Sequence, residues 1–278
     1  RDVRAEHPPR VPAVVASVSL EGLPRGRGVV HGETSGSIHR SLIAVAHARK
    51  TADVDLLTGL ATTRSIRRYH PDPIPNDVLA SILWSASRAP SGSNRQPFRF
   101  LVLTDGVNAR RAKAVLGESF RSGWRSKRTS DGFDTGSGGD PDSPKARQAR
   151  AMQEYVDHFE QIPVVVLVCL DRYRDPNPFE GASVYPACQN LLLAARAHGY
   201  GGALTMWHQG VDAELRAILA IPEHVALSAC ITLGRPKGGH GPVRRRPLRD
   251  VTFHDRWGDS PDWAVDPPDS RFTSGKKA

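Results

Sequence analysis

The chain has 278 residues, 39% of them hydrophobic and 24% charged, with a formal net charge of +9. That is room for one large domain or two small ones, and too much apolar material for a disordered chain. The charge excess is scattered apart from Arg244-Arg245-Arg246 and lacks interleaved aromatics, so anionic small molecules are favoured over nucleic acid as partners.

The longest apolar run, Ile162 to Leu170, contains a proline and is too short for a bilayer span, and no early segment has the order of a signal peptide. The reading is a soluble cytoplasmic protein with no membrane partner. Cys169, Cys188 and Cys230 each lie among apolar residues without metal-ligand spacing and read as reduced core residues; no metal is expected.

Residues 1–53 are rich in Pro, Gly and Arg and lack a sustained period, so a mostly disordered leader is expected, with one helix near Ile38 to Lys50. One expectation is that this leader reflects an upstream start assignment. From Val54 an amphipathic helix runs toward Arg64. A second helix, capped by Asn76 or Asp77, reaches Arg88 and stops at Pro90, and the loop from Ser91 to Pro97 feeds a strand at Phe98–Leu103. Residues 106 to 120 read as helix. The Gly-, Ser- and Asp-rich piece at about 129–144 reads as a mobile insertion with no core of its own.

Helix is expected again from Lys145 to Phe159, followed by a buried strand at Val164–Leu170. Ser183 is expected to cap the most apolar helix, Val184–His198, which must be central or lie in an interface. A short strand at Ala203–Met206, a helix at Ala213–Leu219 and a strand at Ala226–Leu233 complete the pattern.

Arg64 and Arg67, three apart near a helix end, would set two guanidinium forks on one side to grip a phosphate, with the Ser65 hydroxyl beside them. Read alone, such a pair is more often a solvated surface turn, and Arg245 alone is a basic surface run. In the loop Ser91-Gly92-Ser93-Asn94-Arg95-Gln96, glycine permits close backbone approach while Ser91, Asn94 and Gln96 suit the polar edge of a pyrimidine-like ring. The turn from Gly199 to His208 could cover a flat ligand or simply stop a helix. Phosphate-loop, dinucleotide-fold, nucleophile-elbow and zinc-protease patterns are all missing.

Together these pieces resemble the nitroreductase family of FMN-dependent oxidoreductases, including its iodotyrosine-deiodinase-like branch. The resemblance rests on Arg64-Ser65-Ile66-Arg67-Arg68-Tyr69, on Ala89 through Phe98, and on Leu233-Gly234-Arg235-Pro236, Arg245-Arg246-Pro247-Leu248 and Phe253-His254-Asp255-Arg256-Trp257. It implies an α+β, three-layer fold with a central, mainly antiparallel sheet flanked by helices. It divides the chain into the leader 1–53, an FMN-binding domain 54–258 and a C-terminal tail 259–278. It also implies a homodimer with FMN at the subunit interface.

By matching position, Arg64, Ser65, Arg67 and Arg245 would hold the ribityl phosphate. Ser91, Gly92 and Ser93, from the partner subunit, would lie along the isoalloxazine, with Asn94 and Gln96 near its polar edge. Leu204, Thr205 and Met206 would cover the other side near N5. Arg67 would add positive charge beside the reduced ring, and no side chain would act as nucleophile.

The implied activity is ping-pong hydride transfer from NADH or NADPH through flavin N5 to a nitroaromatic, quinone or similar small acceptor. In the deiodinase branch a threonine hydroxyl addresses N5; the matching Met206 cannot donate a hydrogen bond, which favours hydride chemistry. The alternatives are a specialised flavin enzyme of the same fold, performing flavin breakdown or ring dehydrogenation in biosynthesis, and a non-enzymatic flavin-binding protein.

Overall fold

A four-stranded antiparallel sheet organises residues 54–273, the part of the chain that the computed structural model describes. The expected leader and its helix at Ile38–Lys50 lie outside the described residues. The strands are β1 (Phe98–Leu103), β2 (Val164–Asp171), β3 (Gly201–Thr205) and β4 (Val225–Gly234), in spatial order β1-β2-β4-β3. Strand β2 is central and buried from Val164 to Leu170, which is why its sequence is a continuous apolar run rather than an alternating one.

Its side chains divide between two cores. Val165, Leu167 and Cys169 face α3 (Val107–Ser130), α4 (Pro144–Asp157) and α6 (Asp212–Leu219). Val164, Val166, Val168 and Leu170 face α2 (Asn76–Ala86) and α5 (Tyr185–Ala197). This is the α+β, three-layer arrangement that the resemblance implies. Helix α1 (Leu56–Thr62) lies against α5, with Gly59 at the contact.

Local details differ from the sequence reading. Helix α3 continues past residue 120 to Ser130 because Ala109, Ala112, Leu116, Phe120 and Trp124 form one uninterrupted buried stripe. The glycine-rich piece beyond it packs back on the helix: Phe133 is buried, with its ring 5.0 Å from that of Trp124, and Asp134 pairs with Arg128. Neither Asn76 nor Asp77 caps α2, which starts at Asn76 directly after Pro75. Ser183 does not cap α5; its hydroxyl accepts the Gly92 N–H at 3.3 Å. The three cysteines are free and buried, and burial pushes the Cys169 thiol up to about 11. No described helix is long and apolar enough to cross a membrane.

Candidate active site

Helix α1 ends at Thr62, and the residues from Thr63 to Arg68 are not helical. Arg64 and Arg67 therefore do not share a helical turn, and their three-residue spacing does not set a common orientation, contrary to the helical expectation. A different device fixes the segment. Buried Ile66 donates its N–H to the Gly202 carbonyl at 2.9 Å, Tyr69 bridges to Pro236, and the Lys237 N–H reaches the Arg68 carbonyl at 2.9 Å. The arginine segment is thus laced across the adjoining ends of β3 and β4.

Two glycines make this approach feasible. A Cβ on Gly201 would lie 2.6 Å from the Ile66 side chain, and one on Gly234 would lie 2.8 Å from the Tyr69 ring. Beneath the segment, the Tyr69 hydroxyl donates to the Ile66 carbonyl and lies 2.9 Å from the Thr232 hydroxyl, which the Tyr155 hydroxyl meets at 3.1 Å. Burial raises the pKa of both tyrosines, so they remain protonated donors.

The charges above this network are incompletely balanced. Arg68 pairs with Glu154 at 2.9 Å, whereas among the described residues no carboxylate pairs with Arg64, Arg67 or Arg245. Arg64 and Ser65 are exposed and Arg67 is half-buried. Arg67 borders a cleft whose other walls include Tyr69, Glu154, Tyr155, His158 and Lys237. The residues from the end of α4 were missed in the sequence: their spacing marks a core-facing helix, and only the tertiary fold turns that helix end toward Arg67.

The chain also returns to this end of the sheet. Gly241 and Val243 donate their N–H groups to Thr62 and Ala61 at 3.0 and 3.2 Å, leading into β5 (Arg244–Arg245), which pairs with β6 (Arg271–Phe272). Arg245 is therefore brought back beside α1. His240 accepts the Arg64 N–H at Nδ1, 3.4 Å away, and burial lowers its pKa, which keeps it neutral beside the arginines.

Leu204 and Thr205 lie at the outer edge of the sheet, paired with Ile231 and Cys230, and with Met206 they are half-buried. The Thr205 hydroxyl accepts the Trp207 N–H at 3.4 Å. An open groove runs beside Met206, walled by Ser119, Ser122 and Gly123 of α3 and by Trp207 and Gln209.

Ser91–Gln96 lies elsewhere. Its loop feeds β1 where Phe98 pairs with Leu170, whereas the arginine segment sits where Leu233 pairs with Val164. The two are separated by the length of β2, about 23 Å at the usual rise per residue. The loop is exposed from Gly92 to Gln96 and carries left-handed backbone at Ser93, Asn94 and Gln96, with φ of 50°, 51° and 50°. Each such residue costs on the order of 1–2 kcal/mol. The Gln96 N–H bonding to the Ser91 hydroxyl at 2.8 Å holds the turn closed. Strain kept in an exposed loop marks a candidate functional segment.

A family model described as the nitroreductase family matches residues 60–235, spanning both the arginine segment and the strained loop. The chain belongs to the nitroreductase family. It is 26% identical over 238 residues to an NADH dehydrogenase from Thermus thermophilus, covering 72% of this chain and 96% of the relative. It is 28% identical over 187 residues to the 5,6-dimethylbenzimidazole synthase of Rhodospirillum rubrum, covering 64% and 80%. A nitroreductase from Desulfovibrio desulfuricans, solved in complex with FMN, superposes with a TM-score of 0.53 at 26% identity, covering 72% of this chain and 96% of that one.

Proposed function

We propose that this nitroreductase-family chain is an FMN-dependent NAD(P)H oxidoreductase that passes electrons by a ping-pong cycle to a nitroaromatic, quinone or similar small acceptor. The observation that carries this reading is the junction of the arginine segment with β3. Ile66 bonded to Gly202 sets Arg64, Ser65 and Arg67, without carboxylate partners, at one end of the strand that leads to Met206 and its open groove.

Uncompensated cations at one end and a half-buried strand ending in a side chain without a donor fit a phosphate-bearing planar ring. Arg64, Ser65, Arg67 and Arg245 would hold the phosphate of FMN, and Leu204, Thr205 and Met206 would lie along its ring. FMN, when bound, supplies the exchange of a hydride with a nicotinamide and of electrons with an acceptor. The chain's own contribution is to orient the reactants, keep water from the stacking surface and hold positive charge at Arg67 near the ring. Met206 offers that ring no hydrogen bond, and the nearby Thr205 hydroxyl is turned toward the Trp207 amide.

The loop Ser91, Gly92, Ser93, Asn94 and Gln96 completes the site from a second copy of the chain, because it stands at the other end of its own sheet. Residues 54–258 form the working domain, with 259–278 as a tail. The similarity to a 5,6-dimethylbenzimidazole synthase supports the second reading, a specialised flavin enzyme of the same fold.

The deciding experiment is the visible spectrum of the purified protein under anaerobic conditions. The expected result is flavin bands that bleach with NADH or NADPH and return with a nitroaromatic or a quinone. Flavin that resists both nicotinamides would favour the second reading, and a chain that binds no FMN would overturn the proposal.

A further inference from the structure

Beside the strained loop, two guanidinium groups lie over one exposed aromatic ring. Arg95, within the loop, and Arg174, after β2, place their guanidinium carbons 4.6 and 5.3 Å from the centroid of Tyr173. Among the described residues neither arginine has a carboxylate partner. Two nearby acids are engaged elsewhere, Asp171 with Arg99 at 2.7 Å and His224 at 3.4 Å, and Glu180 with Arg172 through hydrogen bonds of 3.0 and 2.7 Å, and the exposed Asp175 beside Arg174 makes no ion pair among the described residues. Glu180 also feels the charge of Arg174 without contacting it. Tyr173 and Arg174 border a small crevice with Pro97, Asn177 and Ser183, and the Ser183 hydroxyl ties that crevice to the loop through the Gly92 N–H.

Resting on the reading that the Ser91–Gln96 loop lies along the flavin ring, we infer that Arg95, Tyr173 and Arg174 form the docking site for the adenosine 2′-phosphate end of NADPH. A nicotinamide stacked on the ring sends its adenosine half onto the adjoining surface, and this surface is built for it. The planar guanidiniums held over Tyr173 present a flat cationic surface that suits a purine base. Two unneutralised forks suit the dianion of a phosphomonoester, which each can grip through paired N–H donors. NADH carries a hydroxyl at that position and gains no such contact, so the site selects NADPH.

The test uses the flavin-loaded full chain. Calorimetric titration with adenosine 2′,5′-bisphosphate is compared with 5′-AMP and with inorganic phosphate, and anaerobic reduction is followed with NADPH and NADH. Both are repeated for the double variant Arg95→Gln, Arg174→Gln and for the single variant Arg174→Gln, which lies outside the loop. The expected result is that the bisphosphate binds at least about tenfold more tightly than either comparison ligand, the worth of one charge-assisted hydrogen bond. In the double variant that advantage disappears and the KM for NADPH rises by a similar factor, and in the single variant Arg174→Gln, outside the loop, the KM for NADPH rises while the KM for NADH and the flavin content are unchanged.

Equal binding of bisphosphate and 5′-AMP overturns the site, as does an unaltered NADPH KM or an equal weakening of both nicotinamides. A protein that NADPH reduces but the bisphosphate does not bind loses this site and keeps the oxidoreductase reading. One that binds the bisphosphate but is reduced by neither nicotinamide loses both that reading and the assignment to NADPH.

Discussion

His208 has no solvent exposure, and its Nε2 meets the Leu227 carbonyl at 3.1 Å, its one side-chain hydrogen bond among the described residues. A carbonyl only accepts, so the proton sits on Nε2, while Nδ1 is buried without a partner among the described residues. Burial lowers the His208 pKa, and the opposing pull of the Leu227 carbonyl and Asp212 is smaller. His198 and His240 are lowered for the same leading reason. Below about pH 6.5, the ordinary histidine value, the unfolded chain therefore binds protons that the fold refuses. Stability is full above that pH and falls as the pH drops through it. Thermal unfolding at pH 7.5 and 5.5 should give a lower Tm at the acid value, and an equal Tm at both would contradict the burial argument. Because His208 follows Met206 by two residues, the groove beside Met206 should be among the first regions to loosen in acid.

The arginine segment and the β3–β4 pair depend on one another as elements. Glycine at 201 and 234 leaves the space that Ile66 and Tyr69 occupy, and Tyr69 then reaches Thr232 in the same hydroxyl network as Tyr155. Gly234→Ala would place a methyl group 2.8–2.9 Å from three atoms of Tyr69. The expected cost is about 1–3 kcal/mol by overpacking, read by urea unfolding, together with reduced flavin content because the arginines shift with the ring. Gly239→Ala, where a Cβ meets nothing within 4 Å, is the control and should change neither. Loss of stability with full flavin retention in the Gly234 variant would separate the glycine from the site. Such coupling is not visible in either element alone: Tyr69 reads as an aromatic after a basic turn, and Gly234 as a strand terminator.

Across the whole molecule, the two halves of the proposed site face apart. One chain holds Arg67 near the Val164 end of β2 and Ser93 near its Leu170 end. Large apolar side chains also stand in solvent, with Leu56 70%, Leu57 75% and Trp257 87% exposed. Two variants, each expected to lose activity alone, test the arrangement. Arg67→Ala removes a cation from one half, and Ser93→Val puts a β-branched side chain at positive φ in the other. If the site is shared between copies, mixing the two unfolded chains and refolding them together restores part of the activity, since a mixed dimer contains one site free of both substitutions. No recovery, with the mixed dimer demonstrated by mass, would assign both halves to one chain.

Sequence alone determined the fold class and the family, because these depend on local information. An unbroken apolar run made β2 a two-sided core strand. The residues from Ala89 to Phe98 read as a loop too elaborate for a simple connection, and Arg64-Ser65-Ile66-Arg67 reads as a candidate phosphate grip only through the family resemblance. Tertiary structure alone decided how those pieces meet. The arginines act from an extended segment laced onto Gly202 rather than from a helical turn. Glu154, Tyr155 and His158 join Arg67 only because α4 ends beside β2, and Phe133 anchors a segment whose composition promised nothing. The reason is physical: periodicity and turn chemistry record what each stretch does with its own neighbours. Hydrogen bonds and packing between distant stretches are set by the register of the sheet, which no single stretch encodes.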